Sequence, residues 1–210
     1  MNSIQITFSN LSSSTGNLPP LIPNLLGPCR IGRFMVLYTP GRTSSYPDTP
    51  VDSGIRIHFL GGGDEVGNVG VVLEDRTQTR LLIDYGLAPT SPPRYPSESP
   101  YISDAIFTHA HIDHIGMAPW LVGNHQTKLH STSLTAALSR IMWKDTYKVS
   151  SIEGYPLPWD RRDEDEANQA WETHPFHQWV QHDSWQWQLH PAGHIPGASM
   201  IEIQTPNHKI

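Results

Sequence analysis

This chain of 210 residues has a single cysteine, Cys29, so it cannot form an internal disulfide, and such a composition suits a reducing compartment. It also lacks an apolar run long enough to cross a membrane. The amino-terminal residues have neither the charged nor the apolar region of a signal peptide. These absences together predict a cytoplasmic protein with no membrane partner.

Basic residues are also scarce, and the formal net charge is -6. The first 52 residues contain three Arg and two Asp, so the remainder carries 11 basic and 18 acidic residues. Binding to a phosphate backbone usually requires a basic track. The charge therefore argues against a nucleic-acid ligand, although nucleases can also bring positive charge through bound metal ions.

The chain divides into two parts near residue 53. Residues 1–53 are interrupted by serine, proline and glycine so often that we predict a flexible leader, with a partner-binding arm as the alternative. Residues 54–210 show regular apolar patterns, and the 37% apolar content of the chain suffices for one hydrophobic core. We therefore expect a single domain over residues 54–210.

Alternating apolar and polar residues predict short strands at 55–60, 69–74, 80–84 and 128–130. Helical spacing predicts helices at 115–122, from Ser133 onwards, and at 163–171. For the helix that begins near Ser133 we expect Ser133 as the N-cap. Its buried stripe is then predicted to contain Leu134, Ala137, Leu138, Ile141 and Met142. Strands and helices in this mixture predict an α/β fold.

The most informative segment is a histidine-rich loop, His109-Ala-His-Ile-Asp-His114, which follows a short apolar stretch beginning at Asp104. Alternation at the end of a strand would turn His109 and His111 to the same side, where two imidazoles can bind one metal ion. Asp113 and His114 can then face a second ion. A run of surface histidines is the alternative, but an aspartate placed among them favours a metal site.

A second segment, His190-Pro-Ala-Gly-His-Ile-Pro-Gly-Ala198, follows an alternating stretch that reads as a strand. His194 lies in its tight loop and would complete a three-histidine site with His109 and His111. Three histidines without a fourth protein ligand indicate a catalytic rather than a structural zinc site. His190 remains unassigned. The sequence places His174, His177 and His182 outside any ligand pattern, as surface or packing residues.

These motifs resemble those of metallo-β-lactamase-fold proteins and, within them, the β-CASP RNA-processing nucleases, a group that includes the polyadenylation endonuclease and ribonuclease J. Besides the histidine loop, three segments carry the resemblance, which covers roughly residues 54 to 210. They are Phe59-Leu-Gly-Gly-Gly-Asp-Glu-Val-Gly67, Leu82-Ile-Asp-Tyr-Gly86 and Ala192-Gly-His-Ile-Pro-Gly-Ala198.

The resemblance implies an αββα sandwich and a hydrolase that uses two zinc ions, with manganese or iron as alternatives. It also implies cleavage of phosphodiester bonds in RNA or another single-stranded nucleic acid. One ion would be held by His109, His111 and His194, and the other by Asp113 and His114. Asp113 would also be the catalytic group that orients the attacking hydroxide.

Asp84 is the remaining residue to which the resemblance gives a role, that of bracing the histidine loop through hydrogen bonds. It follows the apolar stretch Leu81-Leu-Ile83, where a buried and unpaired carboxylate would be unfavourable. The alternative is a carboxylate exposed to solvent at a strand end.

Family members also carry an aspartate that bridges both metals, beyond the strand that follows the third histidine. Here that strand would be 200–204, with a turn at Pro206 and Asn207, and the sequence ends at Ile210 without this aspartate. The β-CASP insertion, the later histidine of the second metal and the carboxyl-terminal half of the sandwich are absent as well. Unless a split-gene partner supplies them, the resemblance implies an amino-terminal fragment, or a split product, of a considerably longer enzyme. A homodimer is compatible with the resemblance. The 210-residue chain is then expected to bind one metal ion well and a second poorly, and to cleave RNA weakly or not at all.

Two other functions compete with a nuclease. One is a small-molecule metallo-hydrolase of the same fold, acting on a thioester or lactone, which the acidic composition favours. The other is a non-catalytic partner subunit, which the intact ligand set disfavours. The glycine-rich segment and the loop around His194 favour the nuclease.

Overall fold

The computed structural model describes residues 54–210 in full and, before them, the backbone of β1 (Ile4–Phe8), β2 (Arg30–Ile31) and β3 (Phe34–Val36). β1 pairs in parallel with β3 and with the strand that opens the described domain. Apart from these three strands, the leader predicted at residues 1–53 lies outside the described residues.

Two sheets organise the domain. The larger sheet continues with β4 (Ile55–Gly61), β5 (Gly70–Glu74), β6 (Arg80–Tyr85), β7 (Asp104–Ile106), β8 (Lys128–Ser131) and β9 (Trp171–Thr173). Its order is β2-β3-β1-β4-β5-β6-β7-β8-β9, antiparallel from β4 to β6 and parallel from β6 to β9. The smaller sheet is antiparallel and contains β10 (Val180–His182), β11 (Trp185–Pro191) and β12 (Ser199–Gln204). The four strands predicted from alternation are confirmed within one residue at each end.

From β4 to β8 both faces of the larger sheet are packed, because successive side chains point to opposite faces and each set meets another layer. On one face Val72 and Leu82 pack against helices, and on the other Leu73 and Leu81 pack against the smaller sheet. Trp185 and Trp187, which are almost fully buried, fill the layer between the two sheets. The predicted α/β class is confirmed, and the described residues form the helix, sheet and sheet layers of the sandwich.

Four helices occupy the outer face of the larger sheet: α1 (Ile112–Ile115), α2 (Ala118–His125), α3 (Ser133–Glu153) and α4 (Arg161–Gln169). The single helix predicted at 115–122 is instead the end of α1 and most of α2, because the chain turns at Gly116 and Met117 before α2 begins at Ala118, with Pro119 in its first turn. The helix predicted at 163–171 begins earlier, since Asp160 closes a capping box at its start, and it ends before Trp171, which belongs to β9.

The prediction for α3 was correct in position but wrong in detail. Thr132 is the N-cap, because its hydroxyl accepts a hydrogen bond from the Thr135 amide, and Ser133 is already helical. Of the expected apolar stripe Met142 packs against the core, whereas Leu134 is 54% exposed and Ile141 is 63% exposed. The buried face of the helix consists instead of Thr135, Ala136, Ser139 and Trp143. Among the described helices, α3 is the longest, and none has the length and apolarity to cross a membrane.

Candidate metal centre

The candidate site lies where the parallel strands β6 and β7 end. Carboxyl ends of neighbouring parallel strands meet at one edge of a sheet, where α/β proteins usually bind their ligands. Asp84 stands near the end of β6, and the loop from Thr108 to His111 follows β7 and leads into α1. His194 arrives from the loop between β11 and β12. The topology thus brings three distant segments of the sequence to one place.

Three histidines converge there. His109 Nε2 lies 3.1 Å from His111 Nδ1, and His194 Nε2 lies 3.3 Å from the same His111 atom. All three ligand atoms are within 4.8 Å of one another. The structure therefore brings together the three imidazoles that the sequence singled out. The reasoning from strand alternation was wrong, however, because β7 ends at Ile106 and the histidines lie in an irregular loop.

The spacing of these nitrogens fits a divalent ion. Zinc bound tetrahedrally at 2.0–2.1 Å from each ligand nitrogen requires nitrogens roughly 3.3 Å apart. The two shorter separations, 3.1 and 3.3 Å, are close to that value. Three protein nitrogens are also the number that catalytic zinc sites commonly supply. The donor set thus suits a borderline-soft metal that prefers imidazole ligands.

Asp84 is buried, with 3% of its surface exposed, and its carboxylate accepts hydrogen bonds from the histidine-rich segment. Its Oδ1 accepts a 2.8 Å hydrogen bond from the Thr108 amide, and its Oδ2 accepts one of 2.7 Å from the Thr108 hydroxyl. Oδ2 also accepts a 2.7 Å hydrogen bond from His114 Nδ1. The carboxylate is therefore fully engaged with the histidine loop, and the alternative of a solvent-exposed strand end is excluded.

A β-bulge aims Asp84 at this loop. In the pairing of β5 with β6, Gly70 is opposite Tyr85 and Val71 is opposite Ile83, so Asp84 is the extra residue. Its backbone is left-handed, with φ at 55°, a conformation that aspartate tolerates better than most residues. Bulges commonly redirect one side chain next to a functional site. The bulge thus takes the Asp84 side chain out of the regular alternation of the strand and directs it towards the candidate metal ligands.

The hydrogen bonds of Asp84 fix which ring nitrogens carry protons. A carboxylate only accepts, so both the Thr108 hydroxyl and His114 Nδ1 donate to it. The Thr108 oxygen is then free to accept from His109 Nδ1 at 2.9 Å. In consequence Nε2 of His109 and Nε2 of His114 keep their lone pairs. Metal-binding histidines are typically oriented by such hydrogen bonds.

Asp113 and His114, the predicted ligands of a second ion, lie beside the three histidines on α1. Asp113 Oδ2 is 3.8 Å from His114 Nε2, and the side chain of Asp113 is 31% exposed. The His109 and His114 rings are 4.0 Å apart between centroids. The structure therefore places all five predicted ligands in one patch. His109, His111 and His194 form one group of donor atoms, and Asp113 and His114 form a second group beside it.

The protonation of the two inner histidines differs. Burial, together with the nearby His114, lowers the pKa of His109 to about 4, so this ring is neutral at physiological pH. Burial also acts to lower the pKa of His114, but the hydrogen bond and charge of Asp84 and the charge of Asp113 raise it above the ordinary value. The neutral His109 ring can therefore accept a cation directly. His114 is protonated more often and must lose that proton before it can bind a cation.

Two glycines permit the close packing around the site. A Cβ added to Gly86 would lie 1.8 Å from the carbonyl oxygen of Asp113, so only glycine lets α1 approach β6. Gly197 has φ at +85° and lies two residues before β12, in the loop that carries His194. Its carbonyl accepts hydrogen bonds from the hydroxyls of Thr132, at 2.8 Å, and Thr135, at 3.0 Å. The start of α3 thus holds the loop of the third histidine.

Sequence reasoning missed a second cluster of candidate metal ligands. His130, Glu172 and His174 have ligand atoms within 4.8 Å of one another, although His174 was assigned to the surface or to packing. The parallel pairing of β8 with β9 creates the cluster, since it places His130 directly opposite Glu172. Only a prediction of this strand pairing would have shown it.

His190, left unassigned, pairs with Glu202 across the smaller sheet at 2.8 Å.

The fold and the cluster of candidate metal ligands can be compared with known proteins. The model of the Metallo-beta-lactamase superfamily matches residues 62–181, more than half of the chain, and the chain belongs to this superfamily.

Its curated relatives include RNase aCSPSF2 of Saccharolobus solfataricus, 30% identical over 71% of this chain and 30% of that protein. Probable RNase MJ4 of Methanocaldococcus jannaschii is 26% identical over 74% of this chain and 37% of that protein. Cleavage and polyadenylation specificity factor 73 of Drosophila melanogaster is 28% identical over 78% of this chain and 25% of that protein. The resemblance to β-CASP RNA-processing nucleases is thereby confirmed. The chain spans between 25% and 37% of the length of these three relatives.

Proposed function

We propose that this chain carries the metal centre of a nuclease that hydrolyses phosphodiester bonds in RNA, with zinc as its metal. The observation that supports this most is the convergence of three imidazole nitrogens at separations of 3.1 and 3.3 Å. Two of the relatives are named as RNases, and the third is named as a cleavage factor. The three imidazoles support metal-dependent hydrolysis, and the names of the relatives support RNA as the substrate class.

Five residues would hold the metal. His109, His111 and His194 would bind one ion, while Asp113 and His114 would bind a neighbouring one, as the donor atoms in the patch are arranged. Bound divalent ions supply Lewis acidity and positive charge close to a scissile phosphate. That charge also offsets the acidic character of residues 53 to 210, which have 18 acidic and 11 basic residues.

The protein groups have separate tasks. Asp113 has a half-buried carboxylate on the first turn of α1, from which it would orient the attacking hydroxide. Asp84, through Thr108 and His114, keeps the rings in the tautomers that present Nε2 to the ions. His109 is buried and His194 is exposed, so the substrate approaches from the side of His194.

A small-molecule metallo-hydrolase is the second candidate, because the acidic composition favours it over a ligand with a phosphate backbone. The same five ligands and the same Asp113 would serve for a thioester or a lactone. The two candidates therefore differ in substrate and share one centre.

A single-turnover assay, with protein in excess over a labelled single-stranded RNA, tests the proposal. Zinc and manganese are each added to protein stripped with EDTA, and a thioester substrate is run in parallel. We expect slow, metal-dependent RNA cleavage that falls at least about 100-fold in Asp113→Asn, a typical loss when a reacting group is misplaced. The exposed residue His177, outside the site, provides the matched control His177→Ala.

Three results would contradict the proposal. They are RNA cleavage that persists in EDTA, cleavage that survives Asp113→Asn, and metal-dependent thioester hydrolysis with no RNA cleavage. The last result would favour the small-molecule hydrolase instead.

A further inference from the structure

We propose a second metal site, separate from the hydrolytic centre, formed by His130, Glu172 and His174. It would bind a single divalent transition-metal ion such as zinc. His130 lies on β8, Glu172 lies on β9, and His174 follows β9 directly. None of these residues belongs to the five ligands of the hydrolytic centre.

His130 is prepared as a ligand by a carboxylate behind it. Only 4% of its surface is exposed, and its Nε2 donates a 2.8 Å hydrogen bond to Asp104 Oδ1. Because Nε2 carries the proton, Nδ1 of the neutral ring has a free lone pair. A carboxylate, a histidine and a metal ion in this order are a common arrangement at zinc sites. Asp104 therefore has for His130 the role that Asp84 has for His114.

His174 faces that lone pair. Its Nε2 is 3.1 Å from His130 Nδ1, close to the roughly 3.3 Å that two nitrogens of a tetrahedral zinc site require. Trp187, which is buried, packs edge-on against both rings, with centroids 5.4 Å from His130 and 5.0 Å from His174. The Trp187 ring thus keeps the two imidazoles in place. Without a cation, His174 Nε2 donates to His130 Nδ1, and ligation through Nε2 would require the proton of the neutral His174 ring to stand on its Nδ1 instead.

Glu172 completes the set with a negative charge. Its Oε2 lies 3.9 Å from His130 Nδ1, while its Oε1 forms an ion pair with Lys128 Nζ at 3.0 Å. One carboxylate oxygen is therefore directed to the histidine pair and the other to a lysine. Lys128 is 61% exposed, so it can release the carboxylate at little cost when a divalent ion binds.

An ion at this position would join the last strand of the larger sheet to its neighbour. β9 has only three residues and stands at the end of the strand order. His130 is followed by Ser131 and Thr132, and Thr132 holds the Gly197 carbonyl in the loop of His194. We therefore expect an ion at this site to stabilise the folded chain, since it would bind to the folded state alone.

Zinc binding measured in a variant that lacks two of the three histidines of the hydrolytic centre tests this inference. In His111→Ala/His194→Ala, made in the full chain and stripped with EDTA, we expect one zinc ion per chain by native mass spectrometry and a raised melting temperature with zinc. The added substitution His174→Ala should remove both effects. The added substitution His177→Ala, a neighbouring exposed histidine, should leave both unchanged.

Two further variants test the role of Glu172 without removing a histidine. Glu172→Gln should weaken zinc binding at least about tenfold, because it removes an anionic ligand. Lys128→Gln should strengthen zinc binding several-fold, because it frees the carboxylate from a competing cation. Circular dichroism of each metal-free variant checks that the fold is retained.

The inference is overturned if the His111→Ala/His194→Ala protein binds zinc only at millimolar concentrations, or if it keeps its zinc after His174→Ala. Unchanged affinity in both Glu172→Gln and Lys128→Gln would exclude Glu172 as a ligand. Failure of the nuclease assay would not affect these measurements, because they follow the dependence of zinc binding on His174, Glu172 and Lys128, which lie outside the hydrolytic centre.

Discussion

Asp84 Oδ2 accepts a 2.7 Å hydrogen bond from His114 Nδ1, across 30 positions of sequence. The same oxygen accepts from Thr108, whose hydroxyl in turn accepts from His109. One buried carboxylate thereby orients a histidine of each proposed ion, directly in one case and through a hydroxyl in the other. The two halves of the centre are coupled through Asp84.

Asp84→Asn should weaken zinc binding at the hydrolytic centre by about 10- to 100-fold, as loss of such a hydrogen-bonding partner usually does. It should also lower the free energy of unfolding by about 1–3 kcal/mol, because an amide nitrogen would face a buried donor. Zinc competition with a chelating indicator, in a His174→Ala background, measures the first effect, and urea unfolding measures the second. Asp183→Asn, at an exposed turn position, is the control and should change neither.

Thr108→Val keeps the shape of the side chain but removes the hydroxyl between Asp84 and His109. Without this oxygen His109 Nδ1 loses its acceptor, and the ring is no longer held in the tautomer that binds through Nε2. We expect about a tenfold loss of zinc affinity in the same competition assay. Thr108→Ser should restore it, and equal affinities of the valine and serine variants would disprove the relay.

Gly86→Ala should both destabilise the protein and disturb the centre. The added Cβ would lie 1.8 Å from the Asp113 carbonyl oxygen, so α1 must move away from β6. Such overpacking costs about 1–3 kcal/mol or more. The control is Gly154→Ala, at the end of α3, where φ is +76° and an added Cβ has nothing within 4 Å. It should lose about 1 kcal/mol from backbone strain and keep its zinc affinity, as equilibrium unfolding and zinc competition will show.

The pKa of His109, lowered from 6.5 to about 4, predicts a pH dependence of stability in the metal-free protein. Between these two values the unfolded chain takes up a proton at this ring and the folded protein does not. Through this ring the free energy of unfolding therefore decreases, and the protein becomes less stable, as the pH falls from 6.5 to 4. His109→Gln should lack this contribution, so its stability should fall less than that of the parent protein. Urea unfolding in EDTA at pH 7, 5.5 and 4.5 measures the difference, and parallel curves for the two proteins would refute the expectation.

The strands of the larger sheet could be predicted because short runs rich in apolar residues, bounded by turn residues, fit strands that are buried on both faces. The five ligands could be proposed because four of them are close in sequence and the fifth lies in a recognisable loop. The bulge at Asp84 could not be predicted, since it depends on how β5 pairs with β6.

The buried face of α3 shows a different limit. Apolar periodicity selected Leu134 and Ile141, but the helix turns Thr135 and Ser139 inwards. Thr135 is buried because its hydroxyl meets the Gly197 carbonyl, and Ser139 is buried because its hydroxyl donates to the Thr135 carbonyl at 2.8 Å. Hydrogen-bonded hydroxyls are compatible with burial, and hydropathy patterns do not detect such pairs.

The Gly197 carbonyl, held by two threonine hydroxyls, also implies an order in which the hydrolytic centre assembles. His109 and His111 are neighbours on one loop and can capture a cation as soon as the sheet has formed. His194 comes from a separate segment. The threonine hydroxyl that holds this segment is in place only after α3 has begun at Thr132. Capture of the cation should therefore proceed from a two-nitrogen intermediate to the full set, with closure of the His194 loop as the last and slowest event.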